Sequence, residues 1–121
     1  MTALRILIVE DEALIAFMLE DAVTEAGHVV AATIGNITDA MAFAVSGEFD
    51  AALLDMNLNG QKAHALPVTL TARGKPFAFV TGYGDAGVLE QFADAPLVRK
   101  PFQASEVVEA LAQLAARAGP G

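Results

Sequence analysis

The sequence predicts an α/β fold, a doubly wound five-stranded parallel sheet with helices on both faces. Short apolar runs alternate along the 121-residue chain with longer segments of helical periodicity, as in repeated βαβ units. The strand-like runs are apolar throughout, which is expected where both faces of a parallel sheet are buried. Right-handed crossovers then cover the two faces with helices. We expect one domain over residues 1–121, with a core at about 4–117 and a tail at 118–121.

The predicted strands are five short runs of mostly apolar residues. In chain order they are Leu4–Val9, His28–Thr33, Ala51–Leu54, Phe77–Val80 and Leu97–Arg99. Between them, apolar residues recur every three or four positions, the spacing of one helical face. In the first helix, the predicted buried face comprises Leu14, Ile15, Met18, Leu19, Ala22 and Val23.

Capping residues set the boundaries of the first two helices. Gly27 is suited to end the first helix, and Asn36 to cap the second, which ends at Gly47. The apolar face predicted for the second helix comprises Ile37, Ala40, Met41, Ala44 and Val45.

The second half of the chain is less regular. A turn is predicted at Asn59-Gly60, and a short helix over Pro67–Arg73 with proline at its first position. Several glycines weaken the helix predicted over Asp85–Phe92. The final helix, Gln103–Arg117, has a predicted inner face of Val107, Val108, Leu111, Leu114 and Ala115.

Composition excludes several classes of function. The formal net charge of −8 disfavours binding to nucleic acid. The absence of cysteine excludes disulfides and thiolate metal sites. No apolar run reaches the roughly 18–20 residues of a membrane span, and the start of the chain lacks the features of a secretion signal. We therefore expect a soluble, cytoplasmic protein that binds neither nucleic acid nor membrane.

Reactive side chains follow four of the five predicted strands. Glu10 and Asp11 follow the first strand, and Asp55 follows the third. Thr81 follows the fourth strand, and Lys100 follows the fifth. Ligands of open α/β sheets bind outside the carboxyl ends of the strands, so these side chains are expected to meet there.

This combination suits phosphorylation of a carboxylate. Carboxylates a few ångströms apart repel one another unless a proton or a cation lies between them, and oxygen ligands favour Mg²⁺. An aspartate can act as the nucleophile, while an ammonium and a hydroxyl stabilise the transferred group. Each residue alone has an ordinary structural explanation, such as a helix N-terminus or a turn. Together they predict that Asp55 accepts a phosphoryl group, helped by Thr81 and Lys100.

At this point the chain resembles the receiver domains of response regulators. The resemblance extends from about Leu4 to Arg117 and rests on Glu10-Asp11, Asp55, Thr81 and Lys100-Pro101-Phe102. It implies a CheY-like, flavodoxin-like (βα)₅ fold with strand order 2-1-3-4-5. It also implies that Asp55 is phosphorylated by a histidine kinase or a histidine phosphotransfer protein in a two-component phosphorelay.

The resemblance further assigns a metal site and a cis peptide. Mg²⁺ is expected on Glu10, Asp11, Asp55 and the backbone carbonyl of Asn57. Lys100 is expected to pair with the phosphoryl group and to precede a cis peptide to Pro101, which proline permits. By the same resemblance the chain is not an enzyme acting on a separate substrate. It is a phosphoacceptor that assists its own phosphorylation and dephosphorylation.

The segment Phe79-Val80-Thr81-Gly82-Tyr83-Gly84 looks like a receiver subgroup nicknamed FAT GUY, with valine in place of the alanine of that nickname. The subgroup is associated with alphaproteobacteria and often occurs as single-domain regulators. Three features depart from the common receiver pattern. The gaps from Asp55 to Thr81 and from Thr81 to Lys100 are a few residues shorter than typical, which predicts short or irregular third and fourth helices. Leu97 occupies the position of the usual switch aromatic, for which Tyr83 is a possible substitute, and Leu58-Asn59-Gly60 replaces the common loop after Asp55.

The predicted mechanism is a two-state switch with a protein output. Phosphorylation adds negative charge at Asp55, Thr81 and Lys100 move toward it, and the region around Tyr83 and Leu97 is reshaped. By the same resemblance, the surface for the partner kinase is expected on the first helix, at Leu14, Ile15 and Phe17. The alternative for Phe17 is an ordinary exposed apolar residue without a partner. Phe102 packs beside Pro101 or contacts a partner. We expect a downstream protein target and a monomer or weak dimer.

Two alternative functions compete with the receiver interpretation. A phosphatase of the haloacid-dehalogenase type requires a second aspartate two residues after the nucleophile, but that position is Asn57. A vestigial receiver, acting as an interaction module independent of phosphorylation, is the remaining alternative. His28 and His64 do not follow strand ends, so we expect no catalytic role for them.

Overall fold

The computed structural model describes residues 3–58, 60–82 and 90–118. As far as residue 54, its elements alternate between strands and helices, as the sequence predicts. In chain order they are β1 (Arg5–Val9), α1 (Ala13–Glu25), β2 (Val29–Ile34), α2 (Ile37–Ser46), β3 (Ala51–Leu54), β4 (Asn57–Leu58), β5 (Gln61–Lys62), α3 (Ala65–Ala72), β6 (Phe77–Thr81), β7 (Leu97–Arg99) and α4 (Ala104–Arg117).

Five of the strands form one sheet in the order β2-β1-β3-β6-β7, and every pair in it is parallel. Numbered along the chain, these five strands have the predicted order 2-1-3-4-5, so the predicted fold is confirmed. The register places Val9 beside Leu54 and Thr81 beside Arg99. Parallel strands with this register bring the residues after each strand to a common edge of the sheet.

Two apolar clusters cover the two faces of the sheet. Ile6 and Ile8 of β1 pack in one cluster with buried residues of α1 and α4. Leu7 and Val9 point the other way, into a cluster with residues of α2 and α3. Because both faces are covered, β1, β3 and β6 are buried along almost their whole length, which explains their unbroken apolar sequences.

The buried face of α1 differs from the prediction. Leu14 and Met18 were expected in the core, but they are 73% and 39% exposed. The buried residues are Ala16, Leu19, Ala22 and Val23. The helix has more apolar residues than one face can bury, and the small side chains of Ala16 and Ala22 allow it to lie close to the sheet. Val45 of α2 and Val108 of α4, also expected inside, are 59% and 37% exposed.

Helix ends agree with the predicted signals to within a few residues. Asn36 caps α2, its side chain accepting a hydrogen bond from Asp39 N at 2.8 Å. Helix α3 begins at Ala65 rather than at Pro67, which therefore lies in the first turn, where no backbone donor is needed. The helix predicted over Asp85–Phe92 falls mostly outside the described residues.

A two-stranded hairpin follows β3, where the sequence indicated only a turn. Strands β4 and β5 pair antiparallel, with Asn57 opposite Lys62. Gly60 lies between them with a φ of +82°, a conformation that favours glycine. Among the described helices, none is long and apolar enough to span a membrane.

Candidate phosphoacceptor site

Side chains from four strand ends meet at the carboxyl edge of the sheet. Asp55 and Glu10 directly follow β3 and β1, and Thr81 is the last residue of β6. All three are buried, with exposed fractions of 4%, 2% and 0%. Lys100 follows β7, and its backbone N–H donates to Thr81 O at 2.8 Å. The register of the parallel sheet thus brings four residues that are distant in the sequence together in one site.

The carboxylate of Asp55 is fixed on both oxygens. The backbone N–H of Asn57 donates to Oδ1 at 2.9 Å. The ammonium of Lys100 donates to Oδ2 at 3.1 Å. The main chain is held as well, because Asp55 N donates to Val9 O at 2.9 Å. Asp55 is therefore preorganised rather than free to rotate.

Lys100 also contacts the second buried carboxylate. Its Nζ lies 2.9 Å from Glu10 Oε1, and the other oxygen of Glu10 accepts a hydrogen bond from Glu12 N at 3.1 Å. Burial by itself would lower the pKa of Lys100, but hydrogen bonds to Glu10 and Asp55 outweigh it and the pKa is raised. Lys100 is therefore a stable cation in this site. The peptide between Lys100 and Pro101 is cis.

The carboxyl group of Glu10 has a strongly raised pKa. Burial raises its pKa from 4.5 to about 7, and the charge of Asp55 adds to this effect. The hydrogen bonds from Lys100 and Glu12 act in the opposite direction but do not cancel it. A cation close to Glu10 would favour its ionised form.

The donor set fits a magnesium ion. Ligand oxygens of Glu10, Asp11 and Asp55 lie within 4.8 Å of one another. Three carboxylates and one ammonium sum to a charge of minus two, which a divalent cation balances. Oxygen-only ligands with few carboxylates are typical of Mg²⁺. Asn57, whose carbonyl was the fourth expected ligand, lies two residues beyond Asp55 at the start of β4.

The predicted partner and switch residues that the structure describes differ in their exposure. On α1, Leu14 and Phe17 are 73% and 65% exposed, and Ile15 is half-buried against the core. Leu97 is 41% exposed. Pro101 is exposed, whereas Phe102 packs partly against the core cluster that contains α4. Tyr83 lies outside the described residues.

Neither histidine belongs to the site. His28 Nδ1 accepts a hydrogen bond from Leu4 N at 3.0 Å, near the opposite end of β1. His64 is exposed, directly before α3.

Gly35 is a site neighbour that the sequence analysis did not identify. A Cβ at this position would lie 3.3 Å from Glu10 O and 3.4 Å from Asp11 Cα, both of them backbone atoms. Its φ is not in the left-handed region, so the constraint here is the small space left for a Cβ beside this backbone. The sequence does indicate that Gly35 lies near the site, since it directly follows β2 and so lies at the same edge of the sheet.

The fold is a doubly wound α/β domain with an acidic site at the carboxyl edge of its sheet, and known proteins share this fold. The family model described as the response regulator receiver domain matches residues 6–112. The solution structure of SdrG from Sphingomonas melonis Fr1 is 42% identical, with a TM-score of 0.83, covering 95% of this chain and 99% of SdrG. The receiver (REC) domain of the response regulator PhyR from Erythrobacter litoralis is 30% identical, with a TM-score of 0.81 over 98% of this chain and 95% of that domain.

Curated sequences include a similar, longer protein. The transcriptional regulatory protein TcrA of Mycobacterium tuberculosis is 34% identical over 98% of this chain. The chain covers 48% of TcrA, so it spans about half the length of the curated relative. The chain belongs to the response regulator receiver domain family, which acts in two-component signalling.

Proposed function

We propose that this receiver accepts a phosphoryl group on Asp55, with Mg²⁺ bound, and thereby switches a protein-binding surface. The observation that carries the proposal is the geometry of Asp55. Its carboxylate is buried, lies beside two further acidic residues, and is held between Asn57 N–H at 2.9 Å and Lys100 Nζ at 3.1 Å. A purely structural aspartate has no need of a neighbouring acidic cluster that must be neutralised.

The proposed donor is a phosphohistidine of a histidine kinase or a histidine phosphotransfer protein. A carboxylate oxygen of Asp55 forms a bond to phosphorus while the phosphorus–nitrogen bond breaks. The electron pair of that bond stays on the imidazole nitrogen, which takes up a proton from solvent. The product is an acyl phosphate on Asp55 and a neutral histidine on the donor.

The residues around Asp55 supply charge stabilisation and positioning. Lys100 already contacts one carboxylate oxygen and is placed to pair with the phosphoryl oxygens after transfer. Thr81 is buried at the neighbouring strand end, where its hydroxyl is expected to contact the same group. Transfer in both directions relies mainly on such positioning, so the chain assists its own phosphorylation and dephosphorylation without being an enzyme for a separate substrate.

Magnesium would be held by Glu10, Asp11, Asp55 and the backbone carbonyl of Asn57. When bound, the ion neutralises the acidic cluster and withdraws charge from phosphoryl oxygens. Glu10 must be ionised to act as a ligand or as a partner of a metal-bound water, so its raised pKa couples metal binding to pH.

The partner surface is proposed on α1. Leu14 and Phe17 expose large apolar side chains there, close in the sequence to the acidic residues of the site. Exposed apolar patches often bind other proteins. A patch on α1 suits binding of the donor protein, which must bring its phosphohistidine to Asp55. A downstream protein target, and no nucleic acid, is proposed because the chain carries a net charge of −8. A cytoplasmic location and a monomer or weak dimer belong to the same proposal.

We also propose that the chain belongs to the FAT GUY subgroup, because the segment Phe79-Val80-Thr81-Gly82-Tyr83-Gly84 looks like the motif of that subgroup. In that case Tyr83 takes over part of the role of the missing aromatic at Leu97. Phosphorylation would then draw Thr81 toward the phosphoryl group and change the region from Gly82 to residue 95.

Intact-mass measurement after incubation with acetyl phosphate and Mg²⁺ tests the proposal, with Asp55→Asn as the control. We expect a phosphate-sized mass gain that requires both Mg²⁺ and Asp55. A gain that persists in Asp55→Asn would place the acceptor elsewhere. No gain from acetyl phosphate or from a phosphorylated kinase, together with weak Mg²⁺ binding, would favour the vestigial interaction module.

A further inference from the structure

The hairpin after Asp55 is tied closely to the residues that begin it. Strands β4 and β5 place Asn57 opposite Lys62. The pairing continues inward, since Ala63 N donates to Met56 O at 3.1 Å. The hairpin therefore starts one residue beyond Met56 and closes back onto it.

Burial anchors the base of the hairpin. Met56, Leu58 and Ala63 are 0%, 1% and 2% exposed and belong to the core cluster between the sheet and helices α2 and α3. Isolated two-stranded hairpins are marginally stable, so this burial is what keeps such a short one in place. Gly60, in contrast, is exposed at its turn.

The first residue of the hairpin contacts the reactive carboxylate. Asn57 N–H donates to Asp55 Oδ1 at 2.9 Å, while Lys100 Nζ contacts the other oxygen. The direction of the Asn57 N–H depends on the path of the backbone into β4. The orientation of Oδ1 therefore depends on the same path.

We infer that the hairpin of strands β4 and β5 is a positioning element for Asp55, acting through the backbone N–H of Asn57. It orients the carboxylate of Asp55 so that Oδ1 accepts the hydrogen bond from Asn57 N–H while Oδ2 faces Lys100. The expected effect on the rate of phosphorylation rests on the proposed function. The expected effect on the hydrogen bond between Asn57 and Asp55 in the unphosphorylated protein does not. A competing explanation is a local turn, in which the Asp55 side chain would bind this N–H with or without a hairpin.

Gly60 allows the hairpin to be perturbed from a distance. Its φ is +82°, and a Cβ added there would meet nothing within 4 Å. Gly60→Ala therefore strains the turn without filling space or touching the site. Gly60→Asn should restore the turn, because asparagine tolerates the left-handed conformation.

Two other glycines offer matched controls. Gly27 and Gly74 have φ values of +86° and +70°, and a Cβ at either position would also meet nothing within 4 Å. They lie before β2 and β6, at the edge of the sheet opposite Asp55. Gly27→Ala and Gly74→Ala impose the same kind of strain away from the hairpin.

The first measurement is amide hydrogen exchange at Asn57, by NMR, in protein without metal or phosphoryl donor. We expect exchange at Asn57 to be about tenfold faster in Gly60→Ala, because the strained turn opens the hairpin more often. Gly27→Ala and Gly74→Ala should leave it unchanged, and Gly60→Asn should restore it. In acetyl phosphate and Mg²⁺, Gly60→Ala should be phosphorylated at least about threefold more slowly than wild type, and Gly60→Asn at the wild-type rate.

Unchanged exchange at Asn57 in Gly60→Ala would overturn the inference in favour of the local turn. Equal effects of Gly74→Ala on Asn57 would overturn it too, since general loss of stability would then explain both variants. If wild type takes up no phosphoryl group, the proposed function fails, and the exchange measurement alone decides the role of the hairpin.

Discussion

Lys100 reaches Glu10 across the carboxyl edge of the sheet, with its Nζ 2.9 Å from Glu10 Oε1. The two residues follow β7 and β1, and strands β3 and β6 lie between those strands. On its way Lys100 also pairs with Asp55 at 3.1 Å. One ammonium therefore neutralises part of an acidic cluster that also suits a divalent cation, and the two cations compete electrostatically.

Lys100→Met tests this competition, because it removes the charge and keeps an unbranched side chain. Without metal, two buried carboxylates lose their shared partner, and we expect a loss of about 1–3 kcal/mol in the free energy of unfolding. Mg²⁺ should bind roughly tenfold more tightly, since a nearby positive charge is gone. Phosphorylation of Asp55 should nevertheless slow by about 10²-fold, because Lys100 no longer stabilises the transferred group.

Calorimetric titration with Mg²⁺, urea unfolding in EDTA and intact-mass time courses measure these three effects of Lys100→Met. Weaker Mg²⁺ binding in the variant would contradict the competition. In that case Lys100 would instead be needed to hold the acidic residues in place.

The stability of the metal-free protein should depend on the ionisation of Glu10. Its pKa is raised from 4.5 to about 7 in the folded state, so the folded protein binds this proton more tightly than the unfolded chain. Stability is therefore highest at the acidic end of this interval and falls as the pH rises from about 4.5 to about 7, beyond which both states are ionised. The difference corresponds to about 3 kcal/mol from this group.

Urea unfolding in EDTA at several pH values checks the contribution of Glu10, with Glu10→Gln as the control. The variant cannot lose the proton, so its stability should change less between pH 5 and 7 than that of wild type. Mg²⁺ affinity of wild type should rise across the same interval, because the metal favours ionised Glu10. An equally steep pH dependence in Glu10→Gln would assign the effect to another group.

Gly35→Ala should weaken the metal site without touching any ligand side chain. The new Cβ would lie 3.3 Å from Glu10 O, and backbone atoms can yield only by shifting the loop that carries Glu10 and Asp11. We expect Mg²⁺ affinity to fall about 10-fold, within the range seen when the surroundings of metal ligands are altered.

Gly47→Ala is the steric control for Gly35→Ala. Its Cβ would meet the ring of Phe43 at 2.6 to 2.7 Å, far from the site. We expect this variant to lose stability, as overpacking does, but to bind Mg²⁺ like wild type. If both variants bind Mg²⁺ equally weakly, the effect of Gly35→Ala is not specific to the loop beside it.

The sequence was sufficient to predict the sheet order and the meeting of Glu10, Asp55 and Lys100, because parallel strands carry the residues after them to one edge. It was not sufficient for the buried face of α1. Which side of a helix is buried depends on the surface that it packs against. In α1 the small Ala16 is buried against that surface, whereas the larger Leu14 is exposed. The strands of the hairpin have two residues each, too few for any periodicity to be recognised.

Phe17 provides a test of the partner surface that leaves the fold intact. Its side chain is 65% exposed on α1, so Phe17→Ala should change the free energy of unfolding by less than about 0.5 kcal/mol. If α1 contacts the donor protein, phosphotransfer from an autophosphorylated histidine kinase should slow by about 10-fold or more, the loss expected for a central aromatic contact. Phosphorylation by acetyl phosphate should not change, because this small donor does not use the surface.

Val68→Ala is the matched control, since Val68 is 58% exposed on α3. Both rates are measured by following the phosphoryl group that appears on Asp55. Equal rates of transfer from the kinase to Phe17→Ala and Val68→Ala would contradict docking on α1.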